Sequence, residues 1–182
     1  MNSSIDARAR DIRLLTCDVD GVLTDGRVYM DDDGRESKAF HALDGVGIRM
    51  LADAGIAVGW ITGSSAPAVA HRARLLDVRH VIQNASDKLT PWRALVESLR
   101  IAPAQCAHIG DDLPDLPIMQ ACGFAATVPH APLAVRNRAH YVTMREGGLG
   151  AVRELAELIL AAQGKLPDAG ALRAVPGFLP RS

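Results

Sequence analysis

Apolar residues fall in short unbroken runs along this chain, and most runs end in a polar exit containing glycine, serine or aspartate. Such runs, bounded by turn residues, read as strands buried on both faces. The first is Ile12 to Leu15, followed by Ile56 to Ile61, Arg79 to Gln83, Cys106 to Ile109, Phe124 to Val128 and His140 to Thr143. Helical spacing fills the intervals. One helix starts at Asp44, carries Val46, Ile48, Met50, Leu51 and Ala54, and stops at Gly55. Ser65 is placed to cap a helix from Ala66 to Leu76, and Ser86 one from Asp87 to Leu99 with Pro91 in its first turn. Another helix follows Asp115 and ends at Ala121 before Gly123. A brief one separates the last two strands, and an amphipathic helix spans Leu149 to Gln163. Alternating strands and helices predict an α/β fold with a doubly wound, mostly parallel, Rossmann-like sheet.

One segment breaks the alternation. Arg27 to Met30 and Arg35 to Phe40 flank Asp31-Asp32-Asp33-Gly34, a hairpin signal. A flap at residues 27–40 is too small for a core of its own, so it must lie on the domain or pair with another chain. The organisation expected is a polar lead at 1–11, one domain at 12–164 and an irregular tail at 165–182. That tail carries Pro167, Pro176 and Pro180, and its Gly177-Phe178-Leu179 either frays or docks.

The 182 residues suit one domain, and 48% apolar against 4% aromatic content leaves the packing to Ala, Leu and Val. A net charge of −1 without a basic run argues against nucleic acid as a partner. The N-terminus has no apolar leader. The best late apolar run, Leu155 to Ala162, is interrupted by Glu157, so neither secretion nor a membrane span is expected and the cytoplasm is the expected compartment. Cys17, Cys106 and Cys122 are odd in number and lack CxxC spacing, which disfavours zinc and disulfides. Trp60 reads as core, Trp92 as core or interface. Gly45-x-Gly47 lacks the third glycine of a dinucleotide fingerprint. Gly147-Gly148-Leu149-Gly150 reads as a helix entry. His41 reads as structural or as facing a neighbouring subunit. His71, His80, His108, His130 and His140 have no ligand spacing and read as ordinary core or surface side chains.

Chemistry gathers where the strands end. Asp18 and Asp20 follow the first strand with Gly21, whose lack of a side chain permits a tight exit. Thr62 and Gly63 follow the second, Lys88 lies just after the third, and Asp111, Asp112 and Asp115 follow the fourth. In a parallel sheet these ends share one edge, where open α/β proteins bind ligands. Several carboxylates in one crevice repel one another and need a cation. Oxygen donors without a His/Cys set favour Mg²⁺. A hydroxyl and a lysine beside such an ion make a phosphoryl site, with Thr62 donating a hydrogen bond and Lys88 neutralising charge.

The set Asp-x-Asp-Gly, Thr-Gly, Lys and Gly-Asp-Asp-x-x-Asp resembles the haloacid dehalogenase superfamily of phosphohydrolases. Thr16 to Gly26, Phe40-His41 with Asp44-Gly45-Val46-Gly47-Ile48, and Ile109 to Asp112 are similar to its branch acting on 3-deoxy-D-manno-octulosonate 8-phosphate. The resemblance implies an aspartyl-phosphate on Asp18, with Asp20 as acid and then base. It implies Mg²⁺ held by the Asp18 side chain, the Asp20 backbone carbonyl and Asp111, with Asp112 and Asp115 supporting the metal and Lys88. Gly21 and Gly63 would border the substrate. A carboxyl serving a sugar hydroxyl works best with a raised pKa, so Asp20 should be partly desolvated.

The intervals Asp18–Thr62 and Thr62–Lys88 leave no room for the cap domains of related phosphatases. An uncapped site needs other cover. The resemblance implies a homotetramer in which hairpins pack together, a neighbour covers the site, and Arg72 of that neighbour binds the sugar-acid carboxylate. It also implies a role in lipopolysaccharide precursor synthesis. Ser64 stands where the resembling proteins commonly carry an arginine, which keeps a nine-carbon keto-acid 9-phosphate open as a substrate. Two further readings compete with a sugar-acid phosphatase: a receiver-type phosphoacceptor module, and a phosphatase acting on macromolecules. The receiver places its acidic pair before the phosphorylated aspartate, and here Asp18-x-Asp20 comes first.

Overall fold

A computed structural model describes residues 3–167. The six main strands β1 (Leu14–Cys17), β4 (Ala57–Ile61), β5 (His80–Ile82), β6 (Cys106–Ile109), β7 (Phe124–Thr127) and β8 (Tyr141–Val142) form one sheet in the order β5-β4-β1-β6-β7-β8. Every pairing in it is parallel. Two short strands, β2 (Tyr29–Met30) and β3 (Glu36–Ser37), pair antiparallel as the expected hairpin. The chain moves from β1 outward to β4 and β5, then returns across β1 to β6. The order therefore reverses at β1, and the carboxyl ends of β1, β4 and β6 open onto a common crevice.

The helices are α1 (Ser3–Ala9), α2 (Ala42–Asp53), α3 (Pro67–Leu75), α4 (Leu89–Ser98), α5 (Leu116–Ala121), α6 (Leu133–Arg136) and α7 (Ala151–Ala162). The core holds Trp60, Trp92 and Phe124 among many small aliphatic residues, and all three cysteines are buried and free. Among the described residues no helix is long and apolar enough to cross a membrane.

Local details differ from the sequence reading. The supposed polar lead is a helix, α1, that buries Ala9 against the core, and Arg8 Nη1 donates to the Gly123 carbonyl at 2.9 Å. α2 starts before Asp44, because His41 Nδ1 accepts from the Leu43 amide at 3.2 Å and caps the helix. Its end is as expected: Gly55 adopts φ +80° and the Ile56 amide reaches back to the Leu51 carbonyl. Neither Ser65 nor Ser86 caps a helix. Ser64 Oγ accepts from the Ala66 amide before α3, and Asp87 accepts from the amides of Leu89 and Thr90 at α4. Ser64 thus closes a turn ahead of α3, which has no side-chain cap, whereas Asp87 serves the first amides of α4. The tail motif Gly177-Phe178-Leu179 lies outside the described residues.

Gly45 and Gly47 are explained by packing. A side chain on Gly45 would meet Arg72 and Leu76 at α3, and one on Gly47 would meet Arg153 and Ala156 of α7. Both glycines let α2 lie close against its neighbours. Asp44, buried beside them, accepts from the Arg153 amide at 2.9 Å and so ties α2 to the first turn of α7. Gly47→Val is expected to lower unfolding free energy in urea by about 1–3 kcal/mol, the usual effect of overpacking. An unchanged midpoint would refute the close α2–α7 contact.

Candidate active site

The loop after β1 is pinned from within. The amides of Leu23 and Thr24 donate to the Val19 carbonyl at 2.9 and 3.0 Å, and the buried Thr24 Oγ1 accepts from Gly21 and Gly26, each at 3.3 Å. Gly21 has φ +87°, and a side chain there would strike the Asp111 carboxylate. The second glycine cluster braces the same loop from outside. Gly147 lies directly against the Gly21 carbonyl, and the Gly148 amide donates to the Val22 carbonyl at 2.9 Å.

Asp18, Asp20, Thr62, Gly63, Lys88, Asp111, Asp112 and Asp115 all line one cleft of about 450 Å³, together with Ser64. Gly21 and Arg72 do not line it. Gly21 supports Asp111 from behind, while Arg72 is half-buried between α2 and α3, where burial depresses its pKa and the Asp44 charge opposes that.

Asp18 Oδ1 lies 2.9 Å from Lys88 Nζ, and both side chains are almost fully buried. Lys88 also contacts Asp115 Oδ1 at 2.7 Å. One oxygen from each of Asp18, Asp111 and Asp115 lies within 4.8 Å of the others. Burial, then the neighbouring Asp115 charge, pushes the Asp18 carboxyl up to about 7 against the pull of Lys88. Burial and Asp115 likewise raise Asp111 to about 6. Asp115 behaves oppositely: burial opposes its ionisation, but His108 and Lys88 overcome this and hold it below the usual carboxylate range. Asp115 is thus committed to Lys88 and His108, which leaves Asp18 and Asp111 as the carboxylates short of a cation. Asp112 accepts from the Leu113 amide at 2.8 Å and caps the 3-10 turn Leu113–Asp115 that carries Asp115.

Of Asp18 and Asp20, Asp18 is the buried one. The Asp20 side chain is 38% exposed and bonds to Lys38 Nζ, with Thr62 Oγ1 donating to it at 3.4 Å. Lys38 stands on the hairpin, its side chain only 3% exposed between Asp20 and Glu36. Burial works against the Lys38 charge, but these two carboxylates raise its pKa nonetheless. Sequence reasoning missed Lys38, for which no spacing signal exists, and His108, whose polar ring in a buried strand close before Asp111 was the available clue. The other histidines serve locally. His140 Nδ1 accepts from the Ala125 amide, and His130 pairs with Glu146. Phe40 stacks on Trp60 with ring centroids 6.0 Å apart, anchoring the base of the hairpin to β4. At its outer end Val28 and Met30 are 70% and 64% exposed.

A family model described as haloacid dehalogenase-like hydrolase matches residues 74–152. The chain is 48% identical over 165 residues to the 3-deoxy-D-manno-octulosonate 8-phosphate phosphatase of Yersinia pestis, covering 91% of this chain and 88% of that protein. The crystal structure of the Yersinia pestis phosphatase superposes with a TM-score of 0.88 at 47% identity, covering 90% of this chain and 88% of that one. That of the Moraxella catarrhalis phosphatase, in complex with magnesium, phosphate and KDO, superposes with a TM-score of 0.89 at 42% identity, over 91% and 95% of the two chains.

Raised carboxyl pKa values have a thermodynamic sign. The folded state binds more protons than the unfolded chain between the ordinary Asp value of 3.8 and about 7 for Asp18. Without divalent metal, stability should therefore fall as pH rises through that window, by up to about 1.4 kcal/mol per pH unit. Calorimetry in EDTA at pH 5 and pH 8 checks this: the wild type should lose more than Asp18→Asn does, and equal losses would contradict the buried charge.

Proposed function

This chain belongs to the haloacid dehalogenase-like hydrolases, and we propose that it hydrolyses 3-deoxy-D-manno-octulosonate 8-phosphate to the free sugar acid and phosphate. The observation that carries this reading is the meeting of Asp18, Thr62, Lys88 and Asp111, from four different strand ends, in one cleft. Residues 12–164 would form the phosphatase unit.

The site fits a divalent ion, because Asp18 is buried and Asp111 half-buried, the two are close and both hold protons more tightly than ordinary aspartates, and the donors are all oxygen. The Asp18 side chain, the Asp20 backbone carbonyl and Asp111 would hold Mg²⁺, which when bound neutralises these carboxylates and polarises a phosphoryl oxygen. An Asp18 oxygen attacks phosphorus and the bond to the sugar oxygen breaks, giving an aspartyl-phosphate. Asp20 donates its proton to the departing alkoxide, then takes one from the water that cleaves the acyl phosphate. Thr62 donates to a phosphoryl oxygen, and Lys88 offsets the charge gathering there. The Ser64 amide holds Thr62 Oγ1 at 3.0 Å, which aims the hydroxyl. Gly63 at the cleft wall leaves space for the phosphoryl group.

The exposed outer end of the hairpin supports a homotetramer in which flaps pack together and a neighbour closes the cleft. In that arrangement Arg72 of the covering subunit would meet the substrate carboxylate, for which a forked guanidinium is suited.

Phosphate release should favour the octulosonate phosphate over a nine-carbon keto-acid 9-phosphate and over unrelated phosphomonoesters, and vanish with EDTA; a flat profile would leave a general phosphatase. Asp18→Asn should lose more than 99.9% of turnover, about 4 kcal/mol of barrier, while remaining folded. Retention of a tenth of the rate would remove Asp18 from its role. Light scattering should report a tetramer that Met30→Asp dissociates with loss of activity, and an active monomer would reject the covering neighbour.

A further inference from the structure

The buried polar chain at the end of β6 reaches further than the cleft. His108 is fully buried, and its Nε2 lies 3.1 Å from Asp115 Oδ1, the oxygen that also receives Lys88 Nζ at 2.7 Å. On the other side, His108 Nδ1 lies 2.9 Å from Thr16 Oγ1. Thr16 is the residue paired with His108 across the parallel β1–β6 ladder. Because an ionised carboxylate only accepts, the ring nitrogen facing Asp115 carries the proton. The ring is thus clamped between a strand hydroxyl and a carboxylate, on backbone that the sheet holds rigidly.

We propose that His108 is a positioning residue for Lys88: by fixing Asp115 Oδ1 it keeps the ammonium group against Asp18. The proposal rests on the phosphatase reading for its catalytic consequence, though not for its geometry. Lys88 has a flexible four-carbon stem, so its terminal nitrogen is located by what it bonds. Its two partners are Asp18 and Asp115. Asp18 is the group that reacts, so it cannot serve as the fixed anchor through a turnover. Asp115 can, provided its own oxygens are tied. Oδ2 accepts a longer bond from the Asp112 amide at 3.4 Å, and Oδ1 has only His108 beside Lys88 among the described residues. Removing His108 leaves a buried carboxylate oxygen without a second donor. Such groups turn or change partner rather than remain unsatisfied, and Lys88 would follow Asp115 away from Asp18.

The test uses the full-length protein with three substitutions at this position. Phe keeps the ring volume and removes both nitrogens, Gln reaches Asp115 with its side-chain amide, and Asn reaches only toward Thr16. In crystals of His108→Phe, Lys88 Nζ should lie beyond about 4 Å from Asp18, the limit of an ion pair. The kcat should fall at least about tenfold. His108→Gln should stay within about threefold of wild type, and His108→Asn should behave like Phe. In a double-mutant cycle, His108→Phe should add nothing to Lys88→Met, because its effect passes through that lysine. A merely structural role would instead give additive losses. Retention of the Lys88–Asp18 contact in the Phe variant, additive losses, or equal kcat for Gln and Asn would overturn the proposal. If Phe does not fold, the Gln and Asn pair decides it. Should the wild type release no phosphate from any ester, the phosphatase reading fails, and the Lys88 position in the variant crystals still decides the role of His108.

Discussion

The structure depends on holding negative charge out of water at the end of its first strand. Asp18 and Asp115 share Lys88, and Asp111 sits beside them with no ion pair of its own among the described residues. A buried charge without a partner is among the most unfavourable things a fold can contain. The site divides the problem. Asp115 is given two donors and stays ionised, whereas Asp18 and Asp111 are left under-compensated and hold protons more tightly than aspartates in water. That imbalance is what a divalent cation would relieve, and it keeps Asp18, the carboxylate proposed to react, next to a lysine that is anchored elsewhere.

Everything around the cleft serves that arrangement. The β1 loop is fixed by Thr24 from inside and by Gly147 and Gly148 from outside. The 3-10 turn after β6 is capped by Asp112, so that Asp115 points inward. Gly21 and Gly110 are small because the Asp111 and Asp115 carboxylates occupy the space a side chain would need. The hairpin contributes at its base only, through Phe40 on Trp60 and Lys38 on Asp20, while its outer end stays bare. It therefore links the general acid/base proposed for the reaction to a surface suited to another subunit.

Much of this was legible in the chain. Apolar runs placed each strand of the sheet, and the polar residues after the first four runs identified the cleft, because parallel strands put their carboxyl ends on one edge. Pairing partners were harder. Lys38 meets Asp20 only because the hairpin folds back, and His108 meets Asp115 only because the turn after β6 reverses direction. Neither contact has a spacing that sequence can display. Asp44 shows the same limit: it reads as a helix start, yet it serves the amino end of α7, more than a hundred residues away. Ser65 and Ser86 misled because a cap depends on turn geometry: α3 begins without a side-chain cap, and at α4 the neighbouring Asp87 accepts instead.

The support given to the first loop by Gly147 and Gly148 has an implication for the order of biosynthesis. Asp18, the proposed nucleophile, leaves the ribosome well before the glycines that brace its loop, and α7 must follow to receive Asp44. A nascent chain carries every reactive group long before it carries the scaffold that aims them. The proposed hydrolysis is therefore withheld until Gly147, Gly148 and α7 have been made, and a product terminated before them would be inert.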